Sequence, residues 1–147
     1  MRQPLSRTLR VFLRLAIAAI LLGTAAGKLL DVPGFAAVLE TYRAFPTGVL
    51  VPLAVAIPAA ELLLAAWLFS GWKLSAAAVA SAGVHLAYAA WSAVTILRGL
   101  RLANCGCFGA YLKRPLGWST VAEDCALAAA SILLFSLSPR ERAGVRG

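Results

Sequence analysis

Long apolar runs separated by short polar segments dominate the chain. A helix needs about 20 predominantly apolar residues to cross the hydrocarbon core of a bilayer. The runs that meet or approach this length are Val11–Leu30, Val49–Phe69, Leu74–Leu97 and Thr120–Leu137. Only "SGWK" separates the second run from the third, so these helices should be antiparallel neighbours. The pattern predicts an all-α, integral membrane four-helix bundle that forms a single domain over residues 1–147.

The first polar loop contains a shorter amphipathic element. Within "DVPGFAAVLETYRAFP", Phe35, Val38, Leu39 and Tyr42 follow the i, i+3, i+4, i+7 spacing of one helix face, and Pro33 stands near the start. We expect a short interfacial helix that covers the loop after the third span. An interfacial helix without a functional role explains the same pattern.

Composition and charge place this bundle in lipid. Hydrophobic residues make up 61% of the chain and charged residues 14%, whereas soluble domains are about a quarter charged. The net charge of +8 comes from basic residues at the ends of apolar runs, not from a stripe on a polar face. Membrane lipid is therefore the expected partner, and nucleic acid is not.

The basic residues also predict an orientation. With a cytoplasmic N-terminus, the inner segments carry more Lys and Arg than the outer loops, which favours N- and C-termini in the cytoplasm and a bacterial inner-membrane location. The inner residues are Arg2, Arg7, Arg10, Lys73, Arg140, Arg142 and Arg146, and the outer residues are Arg43, Arg98, Arg101, Lys113 and Arg114. The loop Arg98–Ser119 then faces the periplasm, where disulfides form and persist.

A signal peptide is the alternative interpretation of the first run. A basic segment precedes it, and "GTAA" is typical of a cleavage site. The apolar stretch continues past this point through Leu29 and Leu30, which favours a retained helix.

The outer loop contains two closely spaced thiols, Cys105 and Cys107, in "NCGCFGA". Cα atoms two residues apart are separated by at most about 7 Å, and disulfides span about 4.4–6.8 Å, so a small, strained ring is feasible. Gly106 tolerates the backbone angles that such a ring needs. Basic residues in the same loop favour the thiolate, and the flanking glycines leave room for a partner's cysteine. The stretch indicates a thiol–disulfide exchange site.

Other interpretations of the cysteines stay open. The pair is also compatible with a static disulfide, with two free thiols, or with a soft ion such as Cu(I). Local residues do not complete a four-ligand zinc site, so no metal is predicted. Cys125, in the fourth span, is either a resolving thiol or a small buried hydrophobe.

Polar residues within the spans are further candidates. Glu61 and His85 lie midway along neighbouring spans, where hydrocarbon makes them costly unless they face the bundle interior. At similar depths the two can pair, and Lys28 can reach Glu61 or Asp31. Such groups suit a proton path or the wall of a quinone-sized pocket. Hydrogen bonds that fix helix packing are the structural alternative.

Two acidic residues stand near the start of the fourth span. "TVAE", from Thr120 to Glu123, fits a capping box, in which a threonine and a glutamate satisfy the first backbone amides of a helix. Asp124 is not explained in this way, and it is a candidate proton partner for a nearby thiol.

Taken together, these motifs make the chain similar to a known family. They are "GK" at Gly27–Lys28, "PGF" at Pro33–Phe35, Tyr42 with Pro46, "IPAAELLLA" around Glu61, "CGCFG" at Cys105–Gly109 and "ED" at Glu123–Asp124. The chain resembles the MauE family, within the wider DoxX-like group of small four-helix membrane proteins, from about Arg10 to Leu137.

The resemblance implies a redox accessory role in methylamine metabolism. Family members are thought to act with a thioredoxin-like periplasmic protein to form or shuffle disulfides in a client, methylamine dehydrogenase. The implied catalytic residues are Cys105 and Cys107, the supporting residues are Gly106, Phe108, Gly109, Lys28, Glu61 and Asp124, and His85 and Cys125 are additional candidates. A quinone-interacting or proton-coupled membrane subunit and a non-catalytic scaffold are the alternative functions.

Overall fold

The prediction of an all-α membrane bundle is confirmed. A computed structural model describes residues 2–138, with side chains from Ser6 onward, and these residues form five α-helices and no strand. The helices are α1 Arg2–Leu29, α2 Val32–Thr41, α3 Leu50–Ser70, α4 Leu74–Leu97 and α5 Trp118–Leu137, and a short 3-10 helix, Thr47–Val49, precedes α3. All but α2 are long and apolar enough to span a bilayer, so this is a multi-pass membrane protein. Arg140, Arg142 and Arg146, which contributed to the predicted orientation, lie outside the described residues.

The fourth span begins earlier than expected. Gly117 adopts an extended backbone (φ −155°, ψ 178°), and α5 starts at the next residue, Trp118. Thr120 therefore lies inside the helix, and the predicted capping box is wrong. The carboxylate of Glu123 instead accepts two hydrogen bonds from the guanidinium of Arg114, at 2.6 and 2.9 Å, on the exposed surface.

The bundle consists of two helix pairs. Packing is most extensive between α1 and α3 and between α4 and α5, whereas α3 and α4 contact each other less although a tight turn joins them. Buried leucines and alanines fill the core between the helices. Ser81 on α4 and Ser131 on α5 approach to 2.8 Å between their hydroxyl oxygens, a distance that small side chains permit.

The outer faces of the spans are apolar. Phe12 is 65% exposed, Leu63 74% and Leu97 75%. Contiguous exposed side chains of this size would be a liability in water, whereas lipid tails solvate them. These faces are therefore the lipid-contacting surface.

The predicted short helix in the first loop is α2. Asp31 caps its N-terminus, where the side chain accepts a hydrogen bond from the amide of Gly34 at 2.8 Å. The helix buries Phe35, Ala36 and Leu39, and this cluster packs against the start of α3. The helix is thus fixed to the bundle on its apolar face.

The contact between α4 and α5 gives a stability prediction. Ser131→Ala should lower the free energy of unfolding by about 0.6 kcal/mol, because hydrogen bonds between membrane helices contribute about that much. Unfolding in mixed detergent micelles measures this change. The matched control is Ser136→Ala, whose exposed hydroxyl donates only within its own helix, to Leu133 O at 2.7 Å. Equal effects of the two substitutions would show that the interhelical contact contributes nothing.

Candidate functional site

A cavity of about 310 Å³ lies between the two helix pairs. It lies beneath α2 and beneath the segment that joins α4 to α5, residues 98–117, which we call the cysteine loop. All five helices contribute to its walls. The predicted site residues that line it are Lys28, Glu61, His85, Cys105, Gly106, Cys107 and Asp124. The fold therefore brings residues from distant parts of the chain to one place.

Cys105 and Cys107 are joined by a disulfide in the wall of this cavity, with Cα atoms 5.5 Å apart. Cys105 is only 7% exposed. Gly106 between them has φ +75°, a left-handed backbone conformation that other residues rarely adopt. A Cβ atom at Gly106 would lie 2.9 Å from Val38 and 3.1 Å from the ring of Phe35, so α2 covers the pair, as the sequence predicts.

The glycines around the pair serve a different purpose from the one expected. A Cβ atom at Gly109 would collide with the carbonyl of Gly27, and a Cβ atom at Gly27 would collide with the carbonyl of Phe108. The loop and α1 thus meet backbone to backbone. The prediction that these glycines leave open space for a partner's cysteine is wrong, because α1 and α2 occupy that space.

Two side chains tie the cysteine loop to the bundle. The hydroxyl of Tyr42 donates to the carbonyl of Cys105 at 2.6 Å, and the ammonium of Lys28 donates to the carbonyl of Cys107 at 3.0 Å. Burial, with a smaller contribution from the charge of Asp124, raises the pKa of Tyr42 to about 12. Tyr42 therefore stays protonated and remains a donor at neutral pH.

Lys28 also forms a buried ion pair with Glu61, one of its two predicted partners. Its Nζ atom lies 2.9 Å from both carboxylate oxygens, and the two residues are 4% and 2% exposed. The hydroxyl of Tyr88 donates to Glu61 Oε1 at 2.7 Å, and the hydroxyl of Thr24 lies 3.4 Å from Oε2. The other predicted partner of Lys28, Asp31, caps α2 instead.

The predicted pairing of Glu61 with His85 is wrong. Lys28, Tyr88 and Thr24 already occupy the carboxylate, and His85 Nδ1 lies 2.8 Å from the carbonyl of Ser81. A carbonyl only accepts, so Nδ1 carries the proton and Nε2 is unprotonated in the neutral ring. The ring still lines the cavity.

Neighbouring residues on α5 face different surroundings. Asp124 lines the cavity, whereas Cys125 is a free, exposed thiol. Cys125 therefore takes no part in the disulfide, which joins Cys105 to Cys107. Among the described residues, no hydrogen bond or ion pair reaches the carboxylate of Asp124.

A cation from α1 lies beside the cysteines, in addition to the basic residues of their own loop. The loop residue Arg114 directs its guanidinium to Glu123, whose hydrogen bonds raise the pKa of that guanidinium. Lys28, from α1, is the basic residue that contacts the pair. Within residues 2–138, no group of three or more His, Cys, Asp and Glu is arranged to hold a metal ion.

Sequence reasoning missed three polar groups at the site. Tyr88 and Thr24 contact Glu61, and Asn104 brackets the pair by accepting from the amide of Gly106 at 3.0 Å and donating to the carbonyl of Gly109 at 3.1 Å. The available signal for Tyr88 was its position three residues after His85, which places both on one side of α4.

The fold and the site define a small multi-pass membrane protein with a CxC disulfide beside an intramembrane cavity. The family model described as "Methylamine utilisation protein MauE" matches residues 6–137, and the chain belongs to this family, which confirms the resemblance.

Two curated relatives are similar to most of the chain. The chain is 32% identical over 122 residues to methylamine utilization protein MauE of Paracoccus denitrificans, covering 83% of this chain and 66% of that protein. It is 32% identical over 132 residues to the protein of the same name from Paracoccus versutus, covering 90% and 71%. The chain thus spans about two thirds of the length of these relatives. No solved structure matches it.

The contact between the loop and α1 gives a second prediction. Gly109→Ala should expose the disulfide, because the added methyl group collides with Gly27 and lifts the loop from α1. The measurement is the rate at which a membrane-impermeant phosphine reduces the pair. Gly99→Ala is the control, since Gly99 shares the positive φ (+77°) but has open space around its Cβ position. Similar rates for both variants would show that backbone strain, not the contact, matters.

The buried ion pair gives a third prediction. Lys28→Met should lower the free energy of unfolding by about 3–5 kcal/mol, because it leaves a buried carboxylate without its counter-charge. Detergent-induced unfolding again measures the change, and the double variant Lys28→Met/Glu61→Leu should recover most of it.

The surface ion pair is the comparison for this experiment. Arg114→Met removes a pair whose side chains are 39% and 52% exposed, and it should change stability by about 1 kcal/mol or less. An equally small effect of Lys28→Met would contradict the structural role of the buried pair.

Proposed function

We propose that this protein exchanges disulfides with a thioredoxin-like periplasmic protein during the maturation of a periplasmic client such as methylamine dehydrogenase. The observation that carries the proposal is the closed Cys105–Cys107 disulfide, held to the bundle by Tyr42 and Lys28. The names of the two Paracoccus relatives support the connection with methylamine. The proposal includes an inner-membrane location, cytoplasmic termini and a periplasmic cysteine loop.

The exchange itself follows ordinary thiol–disulfide chemistry. A thiolate of the partner attacks one sulfur of the pair, a mixed disulfide forms, and the other sulfur leaves as a thiolate. The partner's second thiolate then breaks the mixed disulfide. The partner's dithiol is oxidised to a disulfide, and the Cys105–Cys107 pair takes up the two electrons.

The burial of the two sulfurs suggests which one is attacked. Cys105 is buried, and Cys107 is half-buried. Attack on Cys107 makes Cys105 the leaving thiolate, on the more protected side of the loop. The ammonium of Lys28, which contacts the carbonyl of Cys107, supplies positive charge near the thiolates.

A groove on the outer surface suits the partner. It runs between α2 and the cysteine loop and includes Val38, which also lies against Gly106. Arg43, Arg101 and Lys113 give it a basic rim. A partner seated there would press on the same elements that cover the disulfide.

The order of attack gives a fourth prediction. The prediction uses the reverse reaction, in which a free thiol of the pair attacks the disulfide of an oxidised thioredoxin-like protein. A Cys105→Ser variant should trap a mixed disulfide through Cys107, because Cys105, the thiol that would release the partner in this direction, is absent. A Cys107→Ser variant should trap several-fold less, because Cys105 is buried. Non-reducing electrophoresis of membranes incubated with the oxidised partner measures the adduct.

The control is Cys125→Ser, which should leave the behaviour of the wild-type pair unchanged, since Cys125 is free and exposed elsewhere on α5. Equal trapping by the two loop variants would contradict the assigned order of attack. In a deletion strain, a Cys105→Ala/Cys107→Ala variant that restored the client's disulfides would contradict the proposed function itself.

A further inference from the structure

We propose that the cavity binds the head group of a membrane quinone and that this quinone reoxidises the Cys105–Cys107 dithiol. The inference rests on the proposed exchange function, which leaves the pair reduced after each turnover. It names the electron acceptor for that pair and the site at which the acceptor binds.

The cavity has the size and lining of a site for a flat, largely apolar ring. Its volume of about 310 Å³ lies at the lower end of the range for small-molecule pockets, about 300–1,000 Å³. Trp91 and Phe45 line it and stack on each other with ring centroids 5.3 Å apart and planes 17° apart. Aromatic faces of this kind pack well against another ring.

The cavity opens toward the lipid. Ile20 on α1 and Ala87 on α4 both line it, and both are exposed on the outer faces of spanning helices. Ile20 is 39% exposed. A ligand dissolved in the hydrocarbon can therefore enter from the side, between α1 and α4.

The disulfide stands in the wall of the same cavity. Cys105, Gly106 and Cys107 all line it, and α2 shields the pair from the other side. An oxidant in the cavity thus lies beside both cysteines. The oxidant must accept two electrons and two protons and must be soluble in lipid, and quinones are the membrane oxidants with that chemistry.

His85 and Asp124 line the cavity, and each has an atom that is free to accept or donate a proton. Lys28 and Tyr88 are committed to Glu61 and to the loop, but the Nε2 atom of His85 and the carboxylate of Asp124 have no hydrogen-bond partner among the described residues. Either group can take a proton from a thiol or give one to a reduced quinone oxygen. Both line the same cavity as Cys105 and Cys107.

The proposed step balances. Cys105 and Cys107 begin as two thiols and lose two protons and two electrons as the S–S bond forms. The quinone ring takes up the two electrons, and its two carbonyl oxygens take up the two protons to give the quinol. Asp124 and His85 relay the protons, and the quinol leaves into the bilayer.

The experiment uses the full chain in lipid nanodiscs. The pair is reduced, the reductant is removed without oxygen, and decylubiquinone is added. Loss of quinone absorbance and loss of thiols, counted by alkylation with a mass tag, are followed together. We expect one quinone to be reduced for every two thiols lost, and no quinone reduction by a Cys105→Ser/Cys107→Ser variant.

Matched variants test the place of binding. Ala87→Trp puts a bulky side chain at the opening and should slow quinone reduction about tenfold or more, since it blocks the contact between ring and thiols. Ala90→Trp, at an exposed alanine of the same helix that does not line the cavity, should have no effect.

A second pair of variants tests the proton relay. Asp124→Asn should slow quinone reduction about tenfold or more, because it removes a group that can carry the proton. Glu123→Gln should not slow it, because Glu123 is bound to Arg114 on the surface.

A second readout separates this inference from the proposed function. Each variant is also tested for disulfide exchange. Its oxidised Cys105–Cys107 pair is mixed with a reduced thioredoxin-type protein, and the thiols of both proteins are counted by alkylation with the same mass tag. Normal exchange with no quinone-dependent thiol loss would overturn the quinone inference and leave the exchange function standing. Loss of exchange in the wild type would overturn both. Equal effects of Ala87→Trp and Ala90→Trp would also overturn the cavity as the site.

Discussion

The structure depends on one buried ion pair, Lys28–Glu61. A charged side chain within a bilayer is costly unless it is paired and hydrogen-bonded. Here both carboxylate oxygens lie 2.9 Å from the ammonium, Tyr88 donates to the same carboxylate, and the ammonium donates again to the carbonyl of Cys107. The network thus joins α1, α3, α4 and the cysteine loop. Each charged group in this network has hydrogen-bond partners, and one of those hydrogen bonds, from Lys28 to the carbonyl of Cys107, holds the disulfide in position.

The cysteine loop is consequently part of the bundle's interior wall as well as of its outer surface. Gly109 and Gly27 allow the loop to pack on α1, and Phe35 and Val38 of α2 close it from outside. The two cysteines thus line an apolar cavity on the inside, and the residues on either side of them in the loop, Asn104 and Ala110, line a surface groove. In the proposed cycle, a protein partner approaches from the groove and a lipid-soluble oxidant from the cavity, so the two reactions do not compete for space.

Much of the fold followed from the sequence, because hydropathy and span length are properties of local stretches. The third span begins and ends at the predicted residues, and the periodicity of Phe35, Val38 and Leu39 predicted α2. Pairings within the site were harder. Depth along a span can be read from the sequence, but rotation about the helix axis depends on which helices pack together. Since α3 pairs mainly with α1, Glu61 meets Lys28, and His85 turns to Ser81. Asp124 and Cys125 differ for a simpler reason: successive residues of a helix point about 100° apart, so when Asp124 lines the cavity, Cys125 is exposed.

The cavity lies where packing is least extensive. α1–α3 and α4–α5 form close pairs. Toward the α3–α4 turn, leucines and alanines from all four spans fill the seam between the pairs, whereas around the cavity the seam carries polar groups and aromatic rings. The ion pair lies within the α1–α3 pair, and Tyr88 on α4 crosses the seam by donating to Glu61 Oε1 at 2.7 Å. The hydrogen bonds of Lys28 to Glu61 and to the carbonyl of Cys107 therefore connect the cysteine loop to the seam beside the cavity.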